Sequence, residues 1–169
     1  MNARNLTLRP ASIDDLELLN HWDEQPHVIE SDPNDDWGWE DQLGHEVPWR
    51  EQLMAELDGR PIGFIEIIDP AEEEHYWGEV EPNLRAIDIW IGEADALNQG
   101  HGTRMMTLAI ERCFSAPEVT AIIIDPLLSN VRAQRFYERL GFRAVEERQF
   151  GLDLCLVMRL ERGDWERRR

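Results

Sequence analysis

A chain of 169 residues can bury well over half of the surface it exposes when unfolded, so it fits one domain spanning residues 1–169 and needs no metal or disulfide staple. Its 35 acids against 17 bases leave a formal charge of −18, and every base is arginine; such a surface repels nucleic acid and anionic membrane and concentrates cations. No stretch approaches the roughly 20 apolar residues of a membrane span, and "MNARNLTLRP" lacks the apolar core of a secretory signal, so the expectation is a soluble, cytoplasmic monomer or homodimer with no nucleic-acid or membrane partner.

In chain order, "NLTLRPA" alternates like a short strand, and "SIDDLELLNHW" reads as a helix capped by Ser12 with Asp15 three residues on and Leu16, Leu19 and Trp22 at helical spacing. Residues 23–49 carry Pro26, Pro33, Pro48 and many acids and read as a long, partly irregular excursion with helical fragments. Its three tryptophans, Trp37, Trp39 and Trp49, are too many for a plain solvated loop. "QLMAEL", the turn at Asp58 and Gly59, and "RPIGFIEIID" give a hairpin signal, with helix an alternative for residues 49–57.

After the acidic loop "PAEEEHYWGEVEPN" comes "LRAIDIWIGE", a strand in which Ala86, Asp88 and Trp90 share one face and Ile87, Ile89 and Ile91 the other. Asp88 is a carboxylate in the middle of a strand that otherwise reads as core. The glycines of "LNQGHGTRMM" follow, ahead of a helix whose stripe is Met106, Ala109, Ile110 and Cys113. Backbone amides at such a hand-over lack partners and carry partial positive charge, and glycine lets an anion approach the main chain, although a tight turn needs glycine for backbone reasons as well. A nucleotide-triphosphate loop is excluded because the chain has no lysine, and a dinucleotide fingerprint fits poorly because the third glycine is missing. Cys113 and Cys155 read as buried free thiols, and the five histidines lack metal-ligand spacing, so no metal is expected. "ERRR" at the C-terminus reads as a frayed tail or a contact for an acidic neighbour in a dimer.

"EVTAIIIDP" is a further apolar strand. "LLSNVRAQRFYERLGF" then places a cap at Ser129 or Asn130, marks one helix face with Ala133, Phe136, Tyr137 and Leu140, and stops at Gly141. The succession of strand, G-x-G, helix, strand, "SN", helix carrying tyrosine and "LGF" resembles the GNAT family of acetyl-CoA-dependent N-acetyltransferases over essentially the whole chain. Within it, "PHVIE", "DGRPIGF", "EVEPNLRAID" and "GHGTRMM" are most similar to the aminoglycoside 6'-N-acetyltransferases. The chain departs from the pattern at Leu97, commonly Gln or Arg, at Asn98 and Gln99 inside the glycine turn, and in the tryptophan pair, which comes several residues later than in close relatives.

The resemblance implies an α/β (α+β) fold with a mixed, strongly bent sheet flanked by helices, its fourth and fifth strands splayed around the pantetheine arm of acetyl-CoA. Ile91 backbone would pair with that arm. The amides of Gln99, Gly100, His101, Gly102 and Thr103 would hold the pyrophosphate, and Asn130, Ala133 and Phe136 would lie beside the arm. Asp88 would bind the cationic acceptor amine and relay its proton, as base or as orienting group, and Tyr137 would protonate the leaving thiolate, with no covalent enzyme intermediate. A small cationic amine would meet Tyr76, Trp77, Glu79, Glu81 and Asp125, with Asp153 a further candidate. A siderophore-precursor acyltransferase and a non-catalytic acyl-CoA-binding module are the alternatives.

Overall fold

The computed structural model describes residues 4–73 and 75–169. Residues 1–3 of the opening stretch and Glu74 of the acidic loop lie outside the described residues. In chain order the elements are β1 (Leu6–Pro10), α1 (Leu16–Asp23), α2 (Pro26–Ser31), α3 (Trp39–Gln42), β2 (Arg50–Leu57), β3 (Arg60–Ile68), α4 (Pro70–Glu73), β4 (Leu84–Ile91), α5 (His101–Phe114), β5 (Ala121–Ile124), α6 (Val131–Arg139), β6 (Arg143–Phe150), β7 (Asp153–Glu161) and α7 (Arg162–Arg167). The strands form one mixed sheet in the order β1-β2-β3-β4-β5-β7-β6. β1 and β2, β5 and β7, and β6 and β7 pair antiparallel. The parallel pair joins Leu84 to Ala121, Arg85 to Ile122 and Ala86 to Ile123, while β4 itself continues to Ile91.

The chain divides into two compact units whose boundaries fall inside β3, β4 and α5. The first runs to Glu66 and resumes over Asp88–Leu108; the second comprises Ile67–Ile87 and Ala109–Arg169. Leu19, Trp22, Trp39, Leu43, Met54 and Phe64 form a core cluster in the first. In the second, Ala109, Ile110 and Cys113 of α5 are buried, as are Ile122, Ile124, Met158 and Leu160 on β5 and β7.

Local rules explain most element ends. Asp58 at φ 52° and Gly59 at φ 83° supply the two left-handed residues that a two-residue hairpin turn demands, and the chain before them is strand rather than the alternative helix. The expected first helix begins as a 3-10 turn over Ile13–Asp15 before α1, with Ser12 and Asp15 forming a reciprocal capping box. Between Ser129 and Asn130 the structure selects Asn130, whose Oδ1 accepts the Ala133 N–H at 3.1 Å. Gly141, at φ 105°, follows α6.

The C-terminus corrects the sequence reading. Residues 166–169 are not a frayed tail: α7 is anchored by buried Trp165, Arg168 donates to the Arg139 carbonyl at 2.5 Å, and Arg169 pairs with Glu111 at 3.3 Å. Arg162, at the start of α7, donates to the carbonyls of Phe114, Ala116 and Val119 at 3.1, 2.7 and 2.8 Å while its guanidinium lies over the Phe114 ring. One side chain thereby satisfies carbonyls that the end of α5 and the following turn leave without helical donors.

Asp15 is a buried carboxylate of the first unit with an arginine partner. Burial pushes its carboxyl up, but two Arg9 hydrogen bonds at 2.8 and 2.9 Å, the Ser12 N–H and the Arg9 charge more than offset this and hold it below the ordinary carboxylate range. A carboxyl depressed in the folded state stabilises the protein above its unfolded pKa of ~4, and that contribution is lost as pH falls through the lower folded value. Asp15→Asn is therefore expected to unfold at lower urea than wild type at neutral pH, with the gap closing as pH is lowered; a gap independent of pH would contradict this account of Asp15.

Candidate active site

In the first unit, Asp88 is exposed on β4 between buried Ile87 and half-buried Ile89, although Ala86 on its own face is buried. Trp90, two residues on and on the same face, belongs to an aromatic cluster. Its ring is 4.7 Å from Phe64 and 5.0 Å from Trp37, and Trp37 stacks on Trp39 at 5.0 Å with planes 4° apart. The late tryptophan pair is thus brought against the strand that carries Asp88. Hydrogen bonds fix it: Trp39 Nε1 donates to Asp23 at 2.6 Å, Gln42 donates to the Trp37 carbonyl, and Gln52 donates to Gln42 at 2.7 Å and to buried Glu66 at 3.0 Å. Burial, reinforced by the charges of Asp35 and Asp36, outweighs the indole hydrogen bond and raises the Asp23 carboxyl above its ordinary value.

Beyond Ile91 the backbone turns through Ala94–Ala96 into the glycine loop. Asn98 takes φ 60° and Gly100 φ 82°, so asparagine fills a left-handed position that glycine would otherwise hold. Gln99 donates to the Asp95 carbonyl, and Arg60 holds Asp95 at 3.1 Å. Helix α5 starts at His101, and the Arg104 N–H bonds back to the Gly100 carbonyl at 3.3 Å. The amides of His101, Gly102 and Thr103 stand before that first helical bond, at the positive end of a 14-residue helix with no acid in its first turn. A Cβ at Gly100 would meet nothing within 4 Å, so the loop is uncrowded at that residue. The arrangement fits a pyrophosphate.

In the second unit, the sequence candidates Asp125, Tyr76 and Trp77 come together. The Tyr76 hydroxyl donates to Asp125, and its ring lies 4.5 Å from Phe150 in a stacked arrangement and 5.6 Å from buried Trp77 edge-on. Asp153 begins β7 directly opposite Phe150 in the hairpin register. Sequence reasoning missed Phe150 and Arg148. Arg148 lies 4.9 Å over the Phe150 ring and donates to the Trp77 carbonyl at 2.9 Å, contacts that no local periodicity announces. Glu79 is exposed, whereas Glu81 is committed to Arg159, whose hydrogen bond holds its carboxyl below the ordinary value.

Helix α6 has no fully buried residue: Ala133, Phe136 and Tyr137 are all half-buried, leaving its apolar face partly uncovered. Tyr137 meets Phe136 and buried Phe142 edge-on at 5.1 and 5.7 Å.

A glycine loop between β4 and a long helix, a short parallel β4–β5 pairing and a tyrosine-bearing α6 define an acetyltransferase fold, and the chain belongs to the GNAT acetyltransferases: the model of the acetyltransferase (GNAT) domain matches residues 12–150. It is 32% identical over 153 residues to the aminoglycoside N(6')-acetyltransferase type 1 of Klebsiella pneumoniae, covering 82% of this chain and 74% of that protein. The crystal structure of the aminoglycoside acetyltransferase AAC(6')-Ib in complex with coenzyme A and kanamycin superposes with a TM-score of 0.86 at 30% identity, over 96% of this chain and 98% of that one. The lysine N-acyltransferase MbtK of Mycobacterium tuberculosis is 24% identical over 155 residues, or 83% of this chain and 70% of that protein.

His101 is 7% exposed, and neither ring nitrogen has a hydrogen-bond partner. A buried polar group left unsatisfied costs about 1–3 kcal/mol. His101→Leu is therefore expected to raise the unfolding free energy by about 1–2 kcal/mol in urea titration, since only backbone amides of the loop are asked to meet an anion; a destabilised variant would show that the ring makes a contact it needs.

Proposed function

We propose that the protein transfers the acetyl group of acetyl-CoA directly to a primary amine of a small polycationic acceptor, the 6'-amine of an aminoglycoside being the sharpest version. The observation that carries this is Asp88, an exposed carboxylate in an apolar strand that leads into the anion-ready start of α5. The similarity to an aminoglycoside N(6')-acetyltransferase and to a structure complexed with coenzyme A and kanamycin supports the same reading.

Acetyl-CoA supplies the acyl group as an activated thioester. The first-turn amides of α5 bind its pyrophosphate, and Ala133 and Phe136 offer the uncovered face of α6 to its apolar arm. An alkylammonium with pKa near ~10 is not nucleophilic at neutral pH, so the acceptor must lose a proton. Asp88 attracts and orients the cation and relays its proton to water. The amine nitrogen forms the new bond to the acetyl carbon as the carbon–sulfur bond breaks, and the Tyr137 hydroxyl hands a proton to the departing sulfur. Buried Cys113 and Cys155 have no part in the transfer. On the acceptor side, Asp125 and the exposed ring of Tyr76 offer a carboxylate beside an aromatic ring, the pairing that suits an amino sugar, whereas Trp77, expected to meet the acceptor, is buried and packs edge-on against Tyr76.

Release of the CoA thiol with acetyl-CoA and a panel of kanamycin-type aminoglycosides, polyamines, amino sugars and N-hydroxylated lysine tests this directly. Fast release with the aminoglycosides is expected. Release only with N-hydroxylated lysine would move the protein toward lysine acylation, and silence across the panel with acetyl-CoA still bound would leave a binding module. Asp88→Asn should lower kcat/KM by about 100-fold or more. Tyr137→Phe should lower kcat about tenfold with acetyl-CoA affinity unchanged; an equal loss of affinity would make Tyr137 structural.

A further inference from the structure

Ile91 ends β4 at a point where the direction of its backbone can be read. The Gly92 N–H bonds to the Ile62 carbonyl on β3 at 2.8 Å. Successive residues of a strand present their N–H and C=O groups to opposite edges, so those of Ile91, and of Ile89 two residues back, face the edge away from β3. On that edge the Ile91 carbonyl is already taken: His27 Nε2 lies 2.9 Å from its oxygen. A carbonyl only accepts, so Nε2 is the donor and the neutral ring is the Nε2–H tautomer.

The helix that delivers the ring is firmly set. Pro26 occupies the first turn of α2, Val28 is buried, and in the preceding helix Trp22 Nε1 donates to Glu93 at 3.1 Å. Trp22 also lies so close to the backbone after Ile91 that a Cβ on Gly92 would stand 2.0 Å from its ring.

We propose that His27 is a positioning residue that closes the last acceptor on the free edge of β4 and so sets the register of the pantetheine arm. With the Ile91 carbonyl capped, an amide-bearing extended ligand pairs with the Ile91 N–H and the Ile89 C=O and has no acceptor one step further along. Strand-like pairing repeats every two residues, so a slip of one step displaces the ligand by roughly 7 Å and carries a thioester out of reach of Asp88. This inference rests on the acetyl-CoA reading above.

Three measurements on the full chain decide it. In the free protein, long-range proton–nitrogen NMR is expected to show neutral His27 as the Nε2–H tautomer; the Nδ1–H form overturns the proposal. With coenzyme A added, wild type should give one set of Ile89 and Ile91 amide signals and His27→Ala two sets or exchange-broadened ones; a single unshifted set in the variant overturns it. With saturating acetyl-CoA, His27→Ala should lose about tenfold in kcat while its calorimetric affinity for coenzyme A stays within about threefold. His27→Gln, whose amide nitrogen reaches as far as Nε2, should restore turnover and His27→Asn should not; rescue by Asn as good as by Gln, or an unimpaired Ala variant, overturns the assignment. If wild type acetylates no amine of the panel, the proposed acceptor chemistry fails, while the tautomer and the amide signals still decide the role of His27.

Discussion

The end of β4 is held with no space for a side chain on two of its neighbours, and much of the first unit follows from that. A Cβ at Gly63 on β3 would sit 2.5 Å from the Trp90 carbonyl and 2.7 Å from the tip of Met105 on α5, and one at Gly92 would enter the Trp22 ring. These distances are far inside van der Waals contact, so the backbones of β3 and β4, the first turns of α5 and the indole of α1 approach as closely as they do only because both positions are glycine.

Charge acquires meaning once the acids are sorted by what they touch. Arg85 meets Asp69 at 3.4 Å, Arg159 takes Glu81 and Glu161, and Arg60 takes Asp95 and Glu93. These carboxylates are locally neutralised and hold loops in place. Asp23 is different: burial first, and then the charges of Asp35 and Asp36, raise its carboxyl beside the stacked pair of indoles.

How much of this was legible in the letters depends on how local the cause was. The Asp58–Gly59 turn, the Ser12 box, the Asn130 cap and the apolar stripe of α5 are written in spacings of a few residues, and the chain adopts them. The grouping of Tyr76, Trp77 and Asp125 came through family resemblance, since no spacing joins positions so far apart. Contacts decided by tertiary packing stayed hidden: Arg148 over Phe150, the Gln42–Gln52–Glu66 chain behind Trp37, and His27 on the Ile91 carbonyl. The C-terminal run of arginines misled for the same reason. Composition suggested a solvated tail, whereas Trp165 and the carbonyls facing Arg162 give the segment something to fold onto.

The ion pairs of both units are built on guanidinium alone, because the chain has no lysine. Guanidinium keeps its proton at any physiological pH and its nitrogens share their lone pairs with the central carbon, so it does not attack thioesters. A lysine in the same places would be a primary amine, the functional group that takes an acyl group once it is deprotonated. An acetyltransferase whose every side-chain cation is arginine therefore offers its own activated acyl donor no side-chain amine to modify, and the charges that hold its loops stay unaltered through repeated turnover.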